Sequence, residues 1–135
     1  MTNDDEPQFW FSACLRIKDA PELHGEIIEN LGHGSEHHKK GDIVPEAPDK
    51  TWSNSIWIMD APVPEEEDIS KHLKWISDYA YANIDSLKNL IEQNANIDIY
   101  IAYCCDHDHC GFGLDPDLLK IFNDLGIRLE VSIIT

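Results

Sequence analysis

Basic side chains are scarce in this sequence. It holds 10 Lys and Arg residues against 26 Asp and Glu residues, which gives a formal net charge of −16. A field of this sign repels phosphate backbones and anionic lipid, whereas it attracts basic partners. We therefore expect no binding to nucleic acid or membrane, and a basic protein partner stays open. Acidity also keeps small proteins soluble, so the charge does not by itself require a partner.

Long apolar runs and the features of a signal peptide are also missing. No run approaches the ~20 residues that span a bilayer. Residues 1–8 are acidic and show neither a basic n-region nor an apolar h-region. We expect a cytoplasmic protein with a flexible segment at 1–8 and with cysteines that are mostly reduced.

Motifs of enzyme catalysis are equally scarce. The Gly-Phe-Gly segment at 111–113 is too short for a glycine loop that binds dinucleotides. The only neighbouring nucleophile and base are Cys105 with His107 or His109, and no third residue is available to orient them. The sequence thus favours a protein that is not an enzyme.

Apolar and polar residues alternate regularly in several segments. With 135 residues and 42% hydrophobic side chains, the chain can form one domain, residues 9–135, with its own core. Alternation over 9–17, 97–103 and 127–133 predicts strands with one buried face. Residues 51–59 are a further strand candidate.

Acidic residues beside prolines mark the predicted helix starts. They lie at Asp19, at the run 65–68 and at Asp115, and each precedes an apolar stripe of helical period. A kink is expected near Asn83 in the long second stripe. The pattern predicts an α+β fold, with a largely antiparallel or mixed sheet of about five strands and helices packed on one face. A ferredoxin-like arrangement with an extra αβ unit fits this element order.

A segment rich in cysteine and histidine follows the strand at 97–103. Thiolates and imidazoles are ligands that zinc prefers. Paired Cys-x-x-Cys spacing is missing, so a polar loop with incidental metal affinity and a redox role for adjacent thiols stay open. His33, His37 and His38 can join the site only if the fold brings both segments together. The candidate zinc ligands are Cys104, Cys105, His107, His109 and Cys110.

Aromatic residues beside acidic residues suggest a partner-binding surface. Trp57 is predicted on the outer face of its strand, and Trp75 and Tyr79 lie four apart on the long helix. Aromatic anchors dominate interface hot spots, although the same residues would equally suit a second, minor core. The acidic residues at 42–60 and 65–68 are the first candidates for charge complementarity. The candidate partner-binding residues are Trp57, Asp60, Glu65, Glu66, Glu67, Trp75 and Tyr79.

Four segments together are similar to one known family. They are the strand at 11–17 with a helix ending in Leu31 and Gly32, a Lys-Gly-Asp segment at 40–42 followed by Trp52, the proline-bounded acidic helix start, and the run 111–119 leading to 125–127. On these residues, 9–134 resembles the bacterial family catalogued as domain of unknown function 4279. The resemblance implies an α+β fold and brings no catalytic residues. The Cys/His segment departs from the family pattern, so a metal site there would be particular to this protein.

The leading hypothesis for function is a non-catalytic acidic protein-binding module. One form is an immunity protein that neutralises a basic toxin such as a nuclease, because acidic complementarity speeds capture of a cationic partner. One alternative is a metal-binding protein that uses the Cys/His segment 104–110. Another is a self-associating domain whose outer sheet face pairs with a copy of itself. The sequence alone leaves the oligomeric state open.

Overall fold

The computed structural model describes residues 9–106 and 110–134, so the segment 1–8 lies outside the described residues. Within the described ranges there are seven strands and four α-helices. The strands are β1 (Phe9–Lys18), β2 (Glu36–His38), β3 (Ile43–Val44), β4 (Ala47–Thr51), β5 (Ile56–Asp60), β6 (Asn96–Cys105) and β7 (Arg128–Ile134). The helices are α1 (His24–Leu31), α2 (Ile69–Ala82), α3 (Ile84–Glu92) and α4 (Pro116–Leu125), and a 3₁₀ turn, Pro21–Leu23, precedes α1.

Five strands form one mixed sheet in the order β2-β5-β1-β6-β7. β1 pairs antiparallel with β5 and β6, β2 pairs antiparallel with β5, and β6 and β7 are parallel. The predicted α+β fold with a mixed sheet of about five strands is confirmed. If the separate β3–β4 hairpin is left out and α2 with α3 is counted as one helical unit, the series from β1 to β6 follows the β-α-β-β-α-β order of ferredoxin-like folds. α4 and β7 then add a further αβ unit.

The core lies between one face of the sheet and the helices. Alternate residues of β1 and β6 are buried there because successive strand side chains point to opposite faces. α2 and α3 cover this face with apolar side chains at helical spacing, and Asn83 separates the two helices at the predicted kink. No helix among the described residues is long and apolar enough to cross a membrane. The largest buried side chains include Leu15, Ile17, Ile76, Leu87, Ile99 and Ile101.

Two predicted helix starts differ from the structure. The backbone N–H of Asp19 donates to Ser55 O at 2.8 Å, and Asp19 has φ 54°, so it is a turn residue rather than an N-cap. Glu65 lies in a turn that the hydrogen bond from Glu67 N–H to Pro64 O closes at 3.0 Å, and its own carbonyl oxygen accepts from Phe11 N–H at 2.8 Å. α2 therefore begins later, at Ile69. Asp68 is its N-cap, with the carboxylate accepting from the backbone N–H of Ser70 at 3.0 Å.

Trp57 occupies the core, which corrects the prediction that it lies on an outer face. It pairs with Ile17 across β5 and β1 and is fully buried. Its indole Nε1 donates to Gly32 O at 2.9 Å, so the buried N–H is satisfied. Burial is decided by these long-range contacts, since both neighbours of Trp57 in the sequence are also apolar.

Candidate functional site

A groove lies between the edge strand β2 and the hairpin formed by β3 and β4. Its volume is about 320 Å³. None of the side chains that line it is Lys or Arg, whereas three are carboxylates and two are imidazoles. Trp52 and the 64% exposed Ile43 add apolar surface. The lining residues are Glu36, His37, His38, Asp42, Ile43, Pro45, Glu46 and Trp52.

Backbone hydrogen bonds fix the hairpin against the sheet. Gly41 donates to Trp52 O at 2.9 Å, and Trp52 donates to Asp42 O at 2.9 Å. Lys40 N–H donates to the hydroxyl oxygen of the buried Ser55 at 2.9 Å, which ties the hairpin to the start of β5. Main-chain hydrogen bonds therefore hold the hairpin in place on its side of the groove.

An aromatic stack forms one wall of this groove. The rings of His38 and Trp52 are 3.7 Å apart between centroids and nearly parallel, at 8°. His38 Nε2 is 3.3 Å from Asn54 Oδ1, while its buried Nδ1 has no hydrogen-bond partner among the described residues. The stack fixes the orientation of the indole, so the groove has a flat apolar face next to its carboxylates.

Negative charge is concentrated at the sheet edge beside the groove. Burial raises the pKa of the Asp60 carboxyl above its ordinary value, and the neighbouring Glu36 raises it further. The two carboxylates therefore repel each other in the free protein. A cation placed between them would relieve this repulsion.

Three histidines form a hydrogen-bonded chain on the helix side of β2. His37 is central: its Nδ1 lies 3.2 Å from His24 Nε2, and its Nε2 lies 3.2 Å from His33 Nδ1. His24 begins α1 and His33 follows the end of α1, so this one helix brings both rings to the strand. Because His37 turns a different nitrogen to each neighbour, the three rings do not converge on one point. The described residues contain no group of three or more His, Cys, Asp or Glu that could hold a metal ion.

Each nitrogen pair in the row of three histidines needs one N–H donor and one lone pair, and three neutral rings can satisfy both pairs.

We expect the pKa of His24, measured by NMR titration, to lie below its ordinary value of 6.5. Burial lowers this pKa, and the neighbouring His37 lowers it further, while Asp42 raises it and Lys39 and His38 lower it. Since the fold lowers the pKa, His24 contributes stability above pH 6.5 that is lost as the pH falls through its folded-state pKa.

The variant His37→Gln should raise the pKa of His24 only part of the way to 6.5, because burial is the larger cause. The variant His33→Gln is the matched control, since His33 contacts His37 and not His24 in the hydrogen-bonded chain. It should change the pKa of His24 less. A His24 pKa at or above 6.5 in the unmodified protein would contradict the expected burial effect.

Two cysteines of the Cys/His segment differ from expectation in their oxidation state. Cys105 and Cys110 form a disulfide, with Cα atoms 6.3 Å apart, whereas Cys14 and Cys104 are free. The expectation that the cysteines are mostly reduced is therefore corrected for this pair, whose Cα separation is one that a disulfide spans. A disulfide sulfur is no thiolate ligand, so zinc binding by this pair would first require its reduction.

The candidate zinc ligands His107 and His109 lie outside the described residues, and the zinc site stays a prediction. The sheet register separates Cys105 from the histidine chain. His37 pairs with Trp57, which pairs with Ile17, whereas Cys105 pairs with Phe9 at the other end of β1. Eight strand residues correspond to about 26 Å. Cys105 and His37 therefore lie near opposite ends of β1.

The predicted partner-binding residues differ in their exposure. Trp57 is buried, whereas Asp60, Glu65 and Glu66 are exposed. Glu67 is partly exposed, and its carboxylate accepts from Lys71 Nζ at 2.8 Å. The rings of Trp75 and Tyr79 stack 5.5 Å apart and pack partly against the core. Asp60 lies beside the acidic groove, through its interaction with Glu36.

Sequence reasoning found part of the groove and missed the rest. The acidic residues at 42–60 were expected to meet a partner, and they include Asp42 and Glu46. Glu36 and Trp52 were not among the predicted partner-binding residues, because nothing in the local sequence shows that β2 lies beside this hairpin. A usable signal was the Ile43-Val44 pair followed by Pro45, which marks a short hairpin in a polar segment.

Comparison with known proteins gives a family and no characterised relative. No curated protein and no solved structure matches the chain. One family matches over residues 11–135, nearly the whole chain, and its description is "domain of unknown function". The earlier resemblance is thereby confirmed: the chain belongs to the DUF4279 family.

Proposed function

We propose that this protein is a non-catalytic binding module that holds a cationic segment of a partner protein in the groove between β2 and the β3–β4 hairpin. The observation that carries the proposal is the groove lining, which combines Glu36, Asp42 and Glu46 with Trp52 and contains no Lys or Arg. Carboxylates suit a guanidinium or ammonium group, and the indole face suits both the charge and its aliphatic stem.

The repulsion between Asp60 and Glu36 supports a cationic occupant. The free protein keeps two carboxylates close enough for Glu36 to raise the pKa of Asp60. Binding of a cation would remove this unfavourable interaction as well as add attraction. Such a site favours cationic ligands over neutral ones of the same shape.

The charge of the whole molecule supports rapid capture. A net charge of −16 steers a basic partner towards the protein over a distance limited by salt screening. The biological form that we propose is an immunity protein of the cytoplasm, whose partner is a basic toxin such as a nuclease. Masking cationic residues would keep such a toxin from its anionic substrate.

The test uses a fluorescent hexa-arginine peptide as the probe and measures its binding by anisotropy at physiological salt. The double variant Glu36→Gln and Asp42→Asn should weaken binding at least about tenfold, because each charged contact contributes roughly 1.5–3 kcal/mol. Trp52→Ala should also weaken binding, through loss of the flat apolar wall. Chemical-shift changes on peptide addition should concentrate on residues 36–52.

The matched control is the double variant Asp85→Asn and Glu92→Gln on α3. Both residues are exposed, and the pair removes the same two charges far from the groove in the chain. It should change affinity less than about twofold, because screened charges at a distance contribute little. Equal weakening by both double variants would mean that net charge alone attracts the peptide, and the groove would then not be the site.

Partner identity needs a parallel capture experiment from native lysate. A basic protein that is retained by the unmodified chain and lost with the Glu36→Gln and Asp42→Asn variant fits the proposal. A partner retained equally by both forms binds elsewhere and contradicts it. Protection of cells by co-expression with that partner then separates an immunity protein from other binding modules.

A further inference from the structure

The two edges of the main sheet differ in how they are protected. β2 is three residues long, carries Glu36, His37 and His38, and lies beside the hairpin. β7 is seven residues long, pairs in unbroken register with β6, contains no Pro, and carries only two charged residues, Arg128 and Glu130, which pair with each other. Short length, charge, proline and bulges are the usual devices that prevent edge-to-edge pairing. Within the described residues, β7 has little of this protection.

β7 also exposes aliphatic side chains. Val131 is 38%, Ile133 63% and Ile134 45% exposed. Val131 and Ile133 point to the helix side of the sheet, since they pair with the buried Ile101 and Tyr103 of β6. The outer backbone edge of β7 pairs with no other strand of the described residues, and such an edge with exposed aliphatic side chains suits β-strand addition.

We infer that β7 is a homodimer interface, in which the β7 strands of two copies pair antiparallel and join two five-stranded sheets into one. A two-fold axis requires each surface to be complementary to itself. Two identical strands in antiparallel pairing meet this requirement, because each presents the same donors and acceptors in reverse order.

The side chains select one register, centred on Val131. With Val131 opposite its own copy, Leu129 faces Ile133 of the second copy, so every pair on the helix side is apolar. A register centred on Leu129 would leave Ile133 outside the paired segment. Cross-strand pairs of β-branched and aliphatic residues stabilise a sheet. The centred register therefore buries the most apolar surface.

Charge on the other face is compatible with this register. Glu130 lies opposite Ser132 of the second copy and not opposite another carboxylate. Arg128 NH2 is 2.7 Å from Glu130 Oε2 within each chain, so Glu130 is already paired before the strands meet. The remaining obstacle is the net charge of −16 on each copy, which opposes association and is screened by salt.

The dimer is independent of the proposed groove. β2 and β7 are the opposite edges of the sheet, so pairing through β7 leaves the groove open. It also differs from the self-association considered from the sequence, which used the outer face of the sheet rather than its edge. A dimer would present two grooves and raise the avidity for a partner with two cationic segments.

Sedimentation velocity across about 1 µM to about 1 mM protein tests the inference. The unmodified chain should shift from monomer to dimer, and salt of about 0.5 M should favour the dimer because it screens repulsion. Ile133→Lys should weaken dimerisation at least about tenfold. Ile43→Lys is the matched control, because Ile43 is 64% exposed and lies on the distant hairpin. It should dimerise as the unmodified chain does.

A cysteine cross-link tests the register in a Cys104→Ser background. Cys105 and Cys110 are paired, and burial, with a smaller contribution from Asp60, raises the pKa of Cys14 to about 12. Val131→Cys should then form an interchain disulfide on oxidation, since it faces its own copy. Leu129→Cys should not, since it faces Ile133.

Three outcomes would overturn the inference. The first is a monomer at every concentration and salt. The second is a dimer that Ile133→Lys and Ile43→Lys affect equally, with melting temperatures confirming that both are folded. The third is efficient cross-linking of Leu129→Cys in place of Val131→Cys. The peptide-binding measurements are unaffected by all three, so failure of the dimer and failure of the groove are distinguishable.

Discussion

Replacing Asp98 with asparagine should lower the free energy of unfolding by about 3 kcal/mol, which is the low end of the cost of breaking a buried ion pair. Asp98 is 1% exposed on β6 and accepts from Arg16 Nε at 2.8 Å and from Arg16 NH2 at 2.7 Å. Lys18 Nζ lies 3.0 Å from the same carboxylate. The variant leaves two cations facing a neutral amide. They keep partial contact with water, which limits the loss.

The matched control is Asp78→Asn. Asp78 pairs with Lys74 at 3.0 Å on α2, but both side chains are largely exposed. The control should change stability by less than about 0.5 kcal/mol. Both variants remove one negative charge from a protein of net charge −16, so relief of overall repulsion cancels in their difference. Urea unfolding followed by tryptophan fluorescence gives both values. Similar values would show that Asp98 is no more important than a surface acid.

The pH dependence of the unfolding free energy is a second test of the same ion pair. Burial alone raises the pKa of Asp98, but hydrogen bonds from Arg16 and Lys18 outweigh it, so the pKa lies below its ordinary value of 3.8. A carboxyl with a lowered pKa contributes stability above its ordinary value, and this is lost as the pH falls through the folded-state pKa. Below that range, the unfolding free energies of the variant and the unmodified protein should converge.

Local patterns predict those parts of this fold in which the two faces of an element differ. β1 and β6 alternate cleanly, because one face meets the helices and the other carries Arg16 and Asp98. The same reasoning fails for Trp57. Ile56, Trp57 and Ile58 are all apolar, so the sequence shows no alternation that would tell the buried face of the strand from the exposed one. Its burial depends on Gly32 O and on Ile17, which are 25 and 40 residues away in the chain.

The candidate site is still less visible in the sequence. Its members come from β2 and the hairpin, and the histidine chain adds residues from both ends of α1. Residues 33–50 are polar and rich in glycine and proline, so they predict a loop with at most a short strand. The short strands β2, β3 and β4 form there because sheet pairing and the contacts of Trp52 outweigh local propensity. Acidic composition predicts a basic partner, whereas the position of the groove depends on strand pairing between residues far apart in the sequence.

Replacing Gly34 with alanine should lower the free energy of unfolding by about 2–5 kcal/mol. Gly34 has φ +65°, a conformation that costs an L-residue roughly 1–2 kcal/mol. An added Cβ would also lie 2.5 Å from Ile58 O and 2.9 Å from Trp57 Cε2. Neither neighbour can yield easily: one is backbone of β5 and the other is a fully buried ring. Overpacking of this kind typically costs about 1–3 kcal/mol.

Gly126→Ala separates the two causes. Gly126 has φ +67°, almost the value at Gly34, but an added Cβ would meet nothing within 4 Å. The control should therefore lose only the conformational part, roughly 1–2 kcal/mol. The unfolding free energy that Gly34→Ala loses beyond the loss in Gly126→Ala measures the cost of the close contact with β5 and Trp57. Equal losses in urea unfolding would show that the segment shifts without resistance and that the close approach is not required.

The position of Gly34 joins the core to the candidate site. It lies between His33, which ends the histidine chain, and Ser35, whose N–H donates to Ile58 O at 2.7 Å. Alanine can be accommodated only if this segment moves away from β5, and that movement lengthens the contact between His33 and His37. The folded fraction of Gly34→Ala should therefore show altered His33 and His37 ring resonances in NMR, whereas Gly126→Ala should leave them unchanged. Unchanged resonances in both variants would mean that the histidine chain is held by α1 and β2 alone.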